Sequence, residues 1–252
     1  YYNNVAAKGL APETAAFNFS VGTTIALTIS AVMAPVLGAI ADHRPYKKRF
    51  LAAFMLLGAL TTMAMALIGE GDWALAVGLF MIANVAVSAS IAFYDSLLPH
   101  ITAPEELDRV SSSGFALGYL GGGLLLLLNL AWILQPRLFG LADAGVATRL
   151  AFVSVGVWWM VFSLPLMRRV PEPIIAGGGA PSIGVATSRA LGDLKQTFTH
   201  LRHYRQAFLM LLAFLIYNDG IGTIIRMASL YGAHLGIAET HLIGALLLVQ
   251  FV

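Results

Sequence analysis

Asp219 is the residue most in need of a chemical explanation. It stands in the apolar run Phe214-Leu-Ile-Tyr217-Asn218-Asp219-Gly220-Ile-Gly222-Thr-Ile-Ile-Arg226, twelve positions after Ala207. On a helix that is about 18 Å, near the middle of a bilayer. An ionisable side chain at that depth costs at least about 2.5 kcal/mol on insertion scales and marks a functional site by default. Protonation, a cation on another helix, or a polar solute would each relieve it, and the first would make it a proton-coupling group. Tyr217 and Asn218 adjoin it. Arg226 shares its face but lies about 10.5 Å further along the axis, too far for a direct pair in a straight helix; the alternative is that it snorkels to the interface. Gly220 and Gly222 weaken the helix there, and broken helices at the midplane are where membrane carriers place binding sites. Asp95, in Phe93-Tyr94-Asp95-Ser96, closes another apolar run as either an interfacial acid or a ligand.

A second constellation is Gly38-Ala-Ile-Ala-Asp42-His-Arg44-Pro-Tyr-Lys47-Lys48-Arg49. Gly38 permits close approach of another helix. Asp42 falls at the C-terminal end of its helix, where the macrodipole disfavours an anion, so a partner cation or a neighbouring helix N-terminus must account for it. A purely topological basic loop explains the cations, but not the glycine and the aspartate.

A third signal is Gly114, Gly118 and Gly122, spaced four apart on one helical face. Helix packing explains them without further chemistry. Asn84 and Asn129 are polar residues within spans. The six histidines do not form a metal site by spacing, and no phosphate loop, nucleophile motif or cysteine is present. No cofactor is expected.

The elements that must position these groups follow from composition. The chain has 252 residues, 58% hydrophobic and 11% charged, with a mean hydropathy of +0.79. A soluble domain of this length has too little interior for that much apolar surface, so lipid is the solvent. Runs such as Leu124–Leu128 do not alternate, which excludes a barrel and predicts helices. Spans are expected over Phe19–Ala41, Phe50–Ile68, Trp73–Asp95, Gly114–Leu134, Thr148–Met167 and Ala207–Leu230, with a seventh starting near Leu242 and cut short. The net charge of +2 gives no nucleic-acid signal.

Cations alternate between loops. Arg44, Lys47, Lys48, Arg49, Arg109, Arg168, Arg169, Arg189, Lys195, Arg202 and Arg205 fall on one side and Lys8, Arg137 and Arg149 on the other. The positive-inside rule makes the first side cytoplasmic. The stretch 168–205 holds Pro171, Pro173, Gly177-Gly178-Gly179 and Pro181. It reads as a cytoplasmic linker ending in a basic amphipathic segment, Leu191–Arg205, with a plain solvated loop as the alternative. Tyr1-Tyr2-Asn3-Asn4 looks like the interfacial end of a preceding helix, and the chain reads as a fragment lacking both ends. The expected organisation is a transmembrane half over 1–167, the linker over 168–205, and the start of a second half over 206–252.

The glycine-x-x-x-aspartate-basic loop resembles the hallmark loop of the major facilitator superfamily, with Pro45-Tyr46 where that superfamily usually has a nearby glycine. Phe93-Tyr-Asp-Ser-Leu-Leu-Pro99, Gly114-Phe-Ala-Leu-Gly118-Tyr-Leu-Gly121-Gly122 and Tyr217-Asn-Asp-Gly220 with Ile225-Arg-Met-Ala228 are similar, in order and spacing, to its vacuolar effluxer-like branch. The resemblance implies an all-α, polytopic, major-facilitator-type bundle. It also implies secondary transport of small solutes, with amino acids as the substrate guess and export as the direction. On that reading Asp42 and Arg44, with Gly38, Lys47, Lys48 and Arg49, gate the cytoplasmic side, while Asp219, Asn218, Arg226, Tyr217 and Asp95 are the substrate or proton candidates. The expected setting is a bacterial inner membrane, with lipid, a small solute and protons as partners and no oligomer required. A non-transporting sensor or scaffold is a competing class. A membrane-embedded enzyme is another, and it would need acid, base or metal groups converging at one depth.

Overall fold

The computed structural model describes residues 1–43, 46–172, 185, 188, 192, 195–197, 199–201 and 203–251, and within them every side chain but those of 39–43, 219, 226, 229–230, 233–234, 239–240, 243, 246 and 250–251. Every regular element among these residues is helical. The first unit, Tyr1–Thr187, opens with a π-helical turn, Tyr2–Ala6. It continues through α1 (Pro12–His43), α2 (Lys47–Ala64), α3 (Trp73–Asp95), the short α4 (Leu98–Ile101), α5 (Leu107–Leu134) and α6 (Ala144–Arg169). The second unit, Ser188–Val252, holds α7 (Arg205–His234) and α8 (Glu239–Phe251). Six of these helices are long and apolar enough to cross a membrane.

α3 occupies the span expected for it. α1 and α5 begin seven residues earlier than hydropathy alone predicts, at Pro12 and Leu107. Their polar first turns carry Glu13 and Asp108, anions that suit the positive end of a helix. α7 runs unbroken from Arg205 to His234, across the Gly220 and Gly222 that weaken it. An interior glycine costs only about 1 kcal/mol, far less than leaving backbone groups unpaired in an apolar layer. Gly177-Gly178-Gly179 and Pro181 lie outside the described residues, whereas in the segment expected over Leu191–Arg205 the described residues 192, 195–197 and 199–201 are helical and all but Leu201 are exposed.

Within the first unit α3 packs along α1 and α2, and α6 packs along α2 and α5. The core holds Leu37, Leu51, Ala89, Phe93 and Leu97, with Phe93 stacked on Phe50 and Phe54 at centroid distances of 5.3 and 6.0 Å. Two glycines set how closely α2 and α6 approach. A Cβ on Gly156 would stand 2.8 Å from the Ala59 carbonyl oxygen, and one on Gly58 would stand 2.6 Å from the Trp159 ring. Small residues thus let backbones meet where lipid supplies no hydrophobic drive between helices.

Hydroxyl and amide side chains within the spans mostly return to their own helix. Thr23 donates to the Phe19 carbonyl, Thr28 to Thr24, and Asn84 to Phe80, which satisfies them without water. The Asn129–Ser154 contact differs, because the Ser154 hydroxyl donates to the Asn129 Oδ1 at 2.8 Å and links α5 to α6. At the end of the unit opposite the Lys47–Arg49 cluster, the Tyr1 hydroxyl donates to the Ile68 carbonyl at 2.7 Å and accepts from Arg149 Nε at 3.2 Å. Asp143 caps α6 there by accepting the Val146 N–H at 2.9 Å.

Candidate functional site

α2 begins against the usual electrostatic rule. Its first turn carries Lys47, Lys48 and Arg49 with no acid, and Tyr46 at the N-cap position makes no side-chain capping bond. Cations at the positive end of a helix are unfavourable. The fold resolves this by directing the two lysines to the negative ends of two other helices.

Lys47 is buried, at 5% exposure. Its Nζ donates to the carbonyl of Ser96, the C-cap of α3, at 3.2 Å, and faces His100 Nε2 on α4 at 3.0 Å. Lys48 reaches the other way. Its Nζ donates to the carbonyl of Val170, the C-cap of α6. Its backbone N–H donates to Glu172 Oε1 at 3.1 Å. The carboxylate that caps α2 therefore comes from beyond α6, 124 residues along the chain. Arg49 lays its guanidinium over the Tyr46 ring, 4.9 Å from the centroid. The start of α2, the ends of α3 and α6, and α4 are thus laced together through two adjacent lysines.

The other expected gate residues surround this cluster in sequence. Asp42 falls in the last turn of α1, its side chain outside the described set, and Arg44 lies outside the described residues. Among the described residues, nothing lies within 4 Å of where a Cβ on Gly38 would be. Asp95 is the last residue of α3 and is exposed, next to the Ser96 that Lys47 grips. Of the glycine face on α5, a Cβ on Gly114 would stand 3.6 Å from the Tyr94 hydroxyl, and one on Gly118 would meet nothing within 4 Å among the described residues. Gly122 is exposed, whereas Gly123, Leu125 and Asn129 form the buried side. On α7, Tyr217 and Asn218 are exposed. Asp219 and Arg226 share that helix, and their side chains lie outside the described set.

A cavity of about 370 Å³ opens between α2, α3 and α6, with Leu51, Met55, Ile91, Trp159 and Phe162 among its walls. Its serines, Ser90 and Ser163, donate to carbonyls of their own helices. The Tyr94 ring also lines it. The site therefore offers apolar contact more than polar recognition. Among the described residues no group of three or more His, Cys, Asp or Glu gathers as metal ligands would.

Glu172, Val170, Ser96 and His100 were not singled out by sequence reasoning. Glu172 had a readable signal, an acid between Pro171 and Pro173 directly after the basic end of an apolar run. Ser96 and Val170 contribute backbone carbonyls, which no side-chain pattern reveals.

Regular structure that is helical throughout the described residues, with six helices among them long and apolar enough to cross a membrane, defines a polytopic integral membrane protein. The chain belongs to the vacuole effluxer Atg22-like family, which matches it over residues 5–107 and 103–252. It is 33% identical over 234 residues to YxiO of Bacillus subtilis, described as an uncharacterized MFS-type transporter, covering 92% of this chain and 54% of that protein. Autophagy-related protein 22 of Coccidioides immitis is 25% identical over 267 residues, covering 82% of this chain and 43% of the relative. Its Saccharomyces cerevisiae counterpart is 24% identical over 235 residues, covering 78% and 42%. The chain spans about half the length of these relatives. No solved structure matches it.

Proposed function

We propose that the chain is part of a secondary transporter that exports small solutes, amino acids foremost, by alternating access between two helical halves. The observation that carries this is the laced basic face. A family with transporter-named members here has its Asp42-to-Arg49 loop joined to the C-terminal ends of α3 and α6 through Lys47 and Lys48. Such a fastening suits a gate that closes one side of a carrier while the other opens. The excess of cations at that face makes it cytoplasmic, and a bacterial inner membrane is the setting we assign. On this reading residues 1–167 belong to the first half, 168–205 to the linker, and 206–252 to the start of the second half.

Asp219 is assigned to proton coupling, with Tyr217, Asn218 and Arg226 beside it on α7. Asp95 stands at the mouth of the gate, and the apolar cavity between α2, α3 and α6 supports a solute with an apolar body. The test uses the full-length protein in proteoliposomes, with a panel of radiolabelled amino acids and an imposed proton gradient. Gradient-driven movement that survives as exchange but loses its gradient dependence in Asp219→Asn is the expected result. Undiminished coupled transport in Asp219→Asn would remove the coupling role, and no movement of any amino acid by the wild type would remove the substrate class.

A further inference from the structure

The gate loop is fastened to the segment that follows α6 by two bonds of opposite polarity. The Glu172 carboxylate meets the positive end of α2 through the Lys48 N–H, and the Lys48 ammonium meets the negative end of α6 through the Val170 carbonyl. Each partner supplies what the other helix lacks, because α2 has neither an acid in its first turn nor a side-chain cap of its own. Val170 also closes α6, its N–H donating to the Leu166 carbonyl at 3.1 Å, so the tether pulls on the last turn of that helix rather than on a loose strand. Glu172 is two residues past it, at the point where the chain leaves the first transmembrane half.

We propose that Glu172 is a positioning residue that couples the linker to the gate. While its carboxylate caps α2, the start of the linker and the Lys47–Arg49 turn move as one piece. When the carboxylate leaves, the turn is uncapped and Glu172 is released at the same time. Any event that draws Glu172 away from the Lys48 N–H would then loosen the gate. This rests on the reading of the loop as a gate.

These 252 residues hold no cysteine, so single-cysteine reporters need only the replacement of any cysteine elsewhere in the full-length protein. Arg49→Cys reads the gate turn and Pro171→Cys the linker start, each labelled with a membrane-impermeant maleimide in inverted vesicles holding the full-length protein. Glu172→Ala is expected to raise both labelling rates about fivefold, the scale of local opening when one cap is lost. Glu172→Gln, which keeps the shape and drops the charge, should do so to a smaller degree and carries the test if the alanine variant fails to accumulate. Adding Tyr46→Asp supplies α2 with a cap from its own N-cap position. It should restore slow labelling at position 49 and leave position 171 fast. Unchanged rates at position 171 in both Glu172 variants, or restoration of both positions by Tyr46→Asp, would overturn the coupling. Asp42→Asn in right-side-out vesicles, with the cysteine reporter at the exposed Leu138 on the opposite face, addresses the gate separately. If that variant leaves accessibility on the opposite face unchanged while the Glu172 variants behave as expected, the tether stands and the gate reading falls.

Discussion

The Ser154 hydroxyl donates to the Asn129 side-chain oxygen at 2.8 Å, joining α5 to α6 inside the apolar layer. Asn129 is buried, at 7% exposure, so water does not compete for the bond. Measured bonds of this kind between membrane helices average about 0.6 kcal/mol. A double-mutant cycle of Asn129→Ala and Ser154→Ala, read by thermal unfolding in detergent, is expected to give a coupling of that order. Additive single effects would mean that the contact contributes nothing.

Lys47 presents a larger stake. Removing it leaves the Ser96 carbonyl at the end of α3 without its ammonium donor and opens space for a long buried side chain. Lys47→Ala is expected to cost about 1–3 kcal/mol, seen as a lower Tm. Lys47→Met, which keeps the stem but not the charge, should recover only part of it. A full recovery would show that packing, not the hydrogen bond, fixes the residue.

Glycine substitutions should separate two kinds of small residue. In Gly156→Ala the new methyl meets a backbone carbonyl at 2.8 Å, and backbone cannot swing aside. The expected result is a clear loss of Tm, through overpacking that typically costs about 1–3 kcal/mol. Gly118→Ala meets nothing within 4 Å and removes backbone freedom from the unfolded chain, so no loss of Tm is expected from contacts within this half. A loss there would report a packing partner beyond the described residues.

Tyr2 lies outside the spans, and burial pushes its phenol above the ordinary tyrosine value. Its hydroxyl donates to the Ala15 carbonyl at 3.1 Å, which a phenolate cannot do. The protonated form is the one the fold prefers. Its contribution is therefore full below the ordinary tyrosine range and is lost as pH rises through the elevated value. Melting curves across alkaline pH should fall less steeply for Tyr2→Phe than for the wild type, and parallel curves would exclude the residue.

The helical spans were legible because lipid imposes one simple demand, a long run of apolar residues with internally paired backbone. Trp73–Asp95 shows it best, since polar residues bound it on both sides. The starts at Pro12 and Leu107 were not legible from hydropathy, because a polar first turn costs nothing at an interface and gains from Glu13 or Asp108 at the helix end. The basic loop announced itself through Lys47, Lys48 and Arg49, yet their partners did not. Ser96 and Val170 act through carbonyl oxygens that every residue possesses, and Glu172 is brought to Lys48 only by the return of α6 beside α2. The same blindness hid the α2–α6 seam. Gly58 and Gly156 lie far apart in sequence, while Gly114, Gly118 and Gly122 formed a visible row.

The fastening of the first unit at both ends has a mechanical consequence. Tyr1 pins the start of the chain to Ile68 and Arg149 at one end, and Lys47 and Lys48 pin α2 to α3 and α6 at the other. A bundle clamped top and bottom resists shear along its length, so α2, α3 and α6 tilt as a single lever. Hydrogen exchange in the middle of these helices should then stay slow even when their ends open, with the compliance concentrated where the clamps can let go.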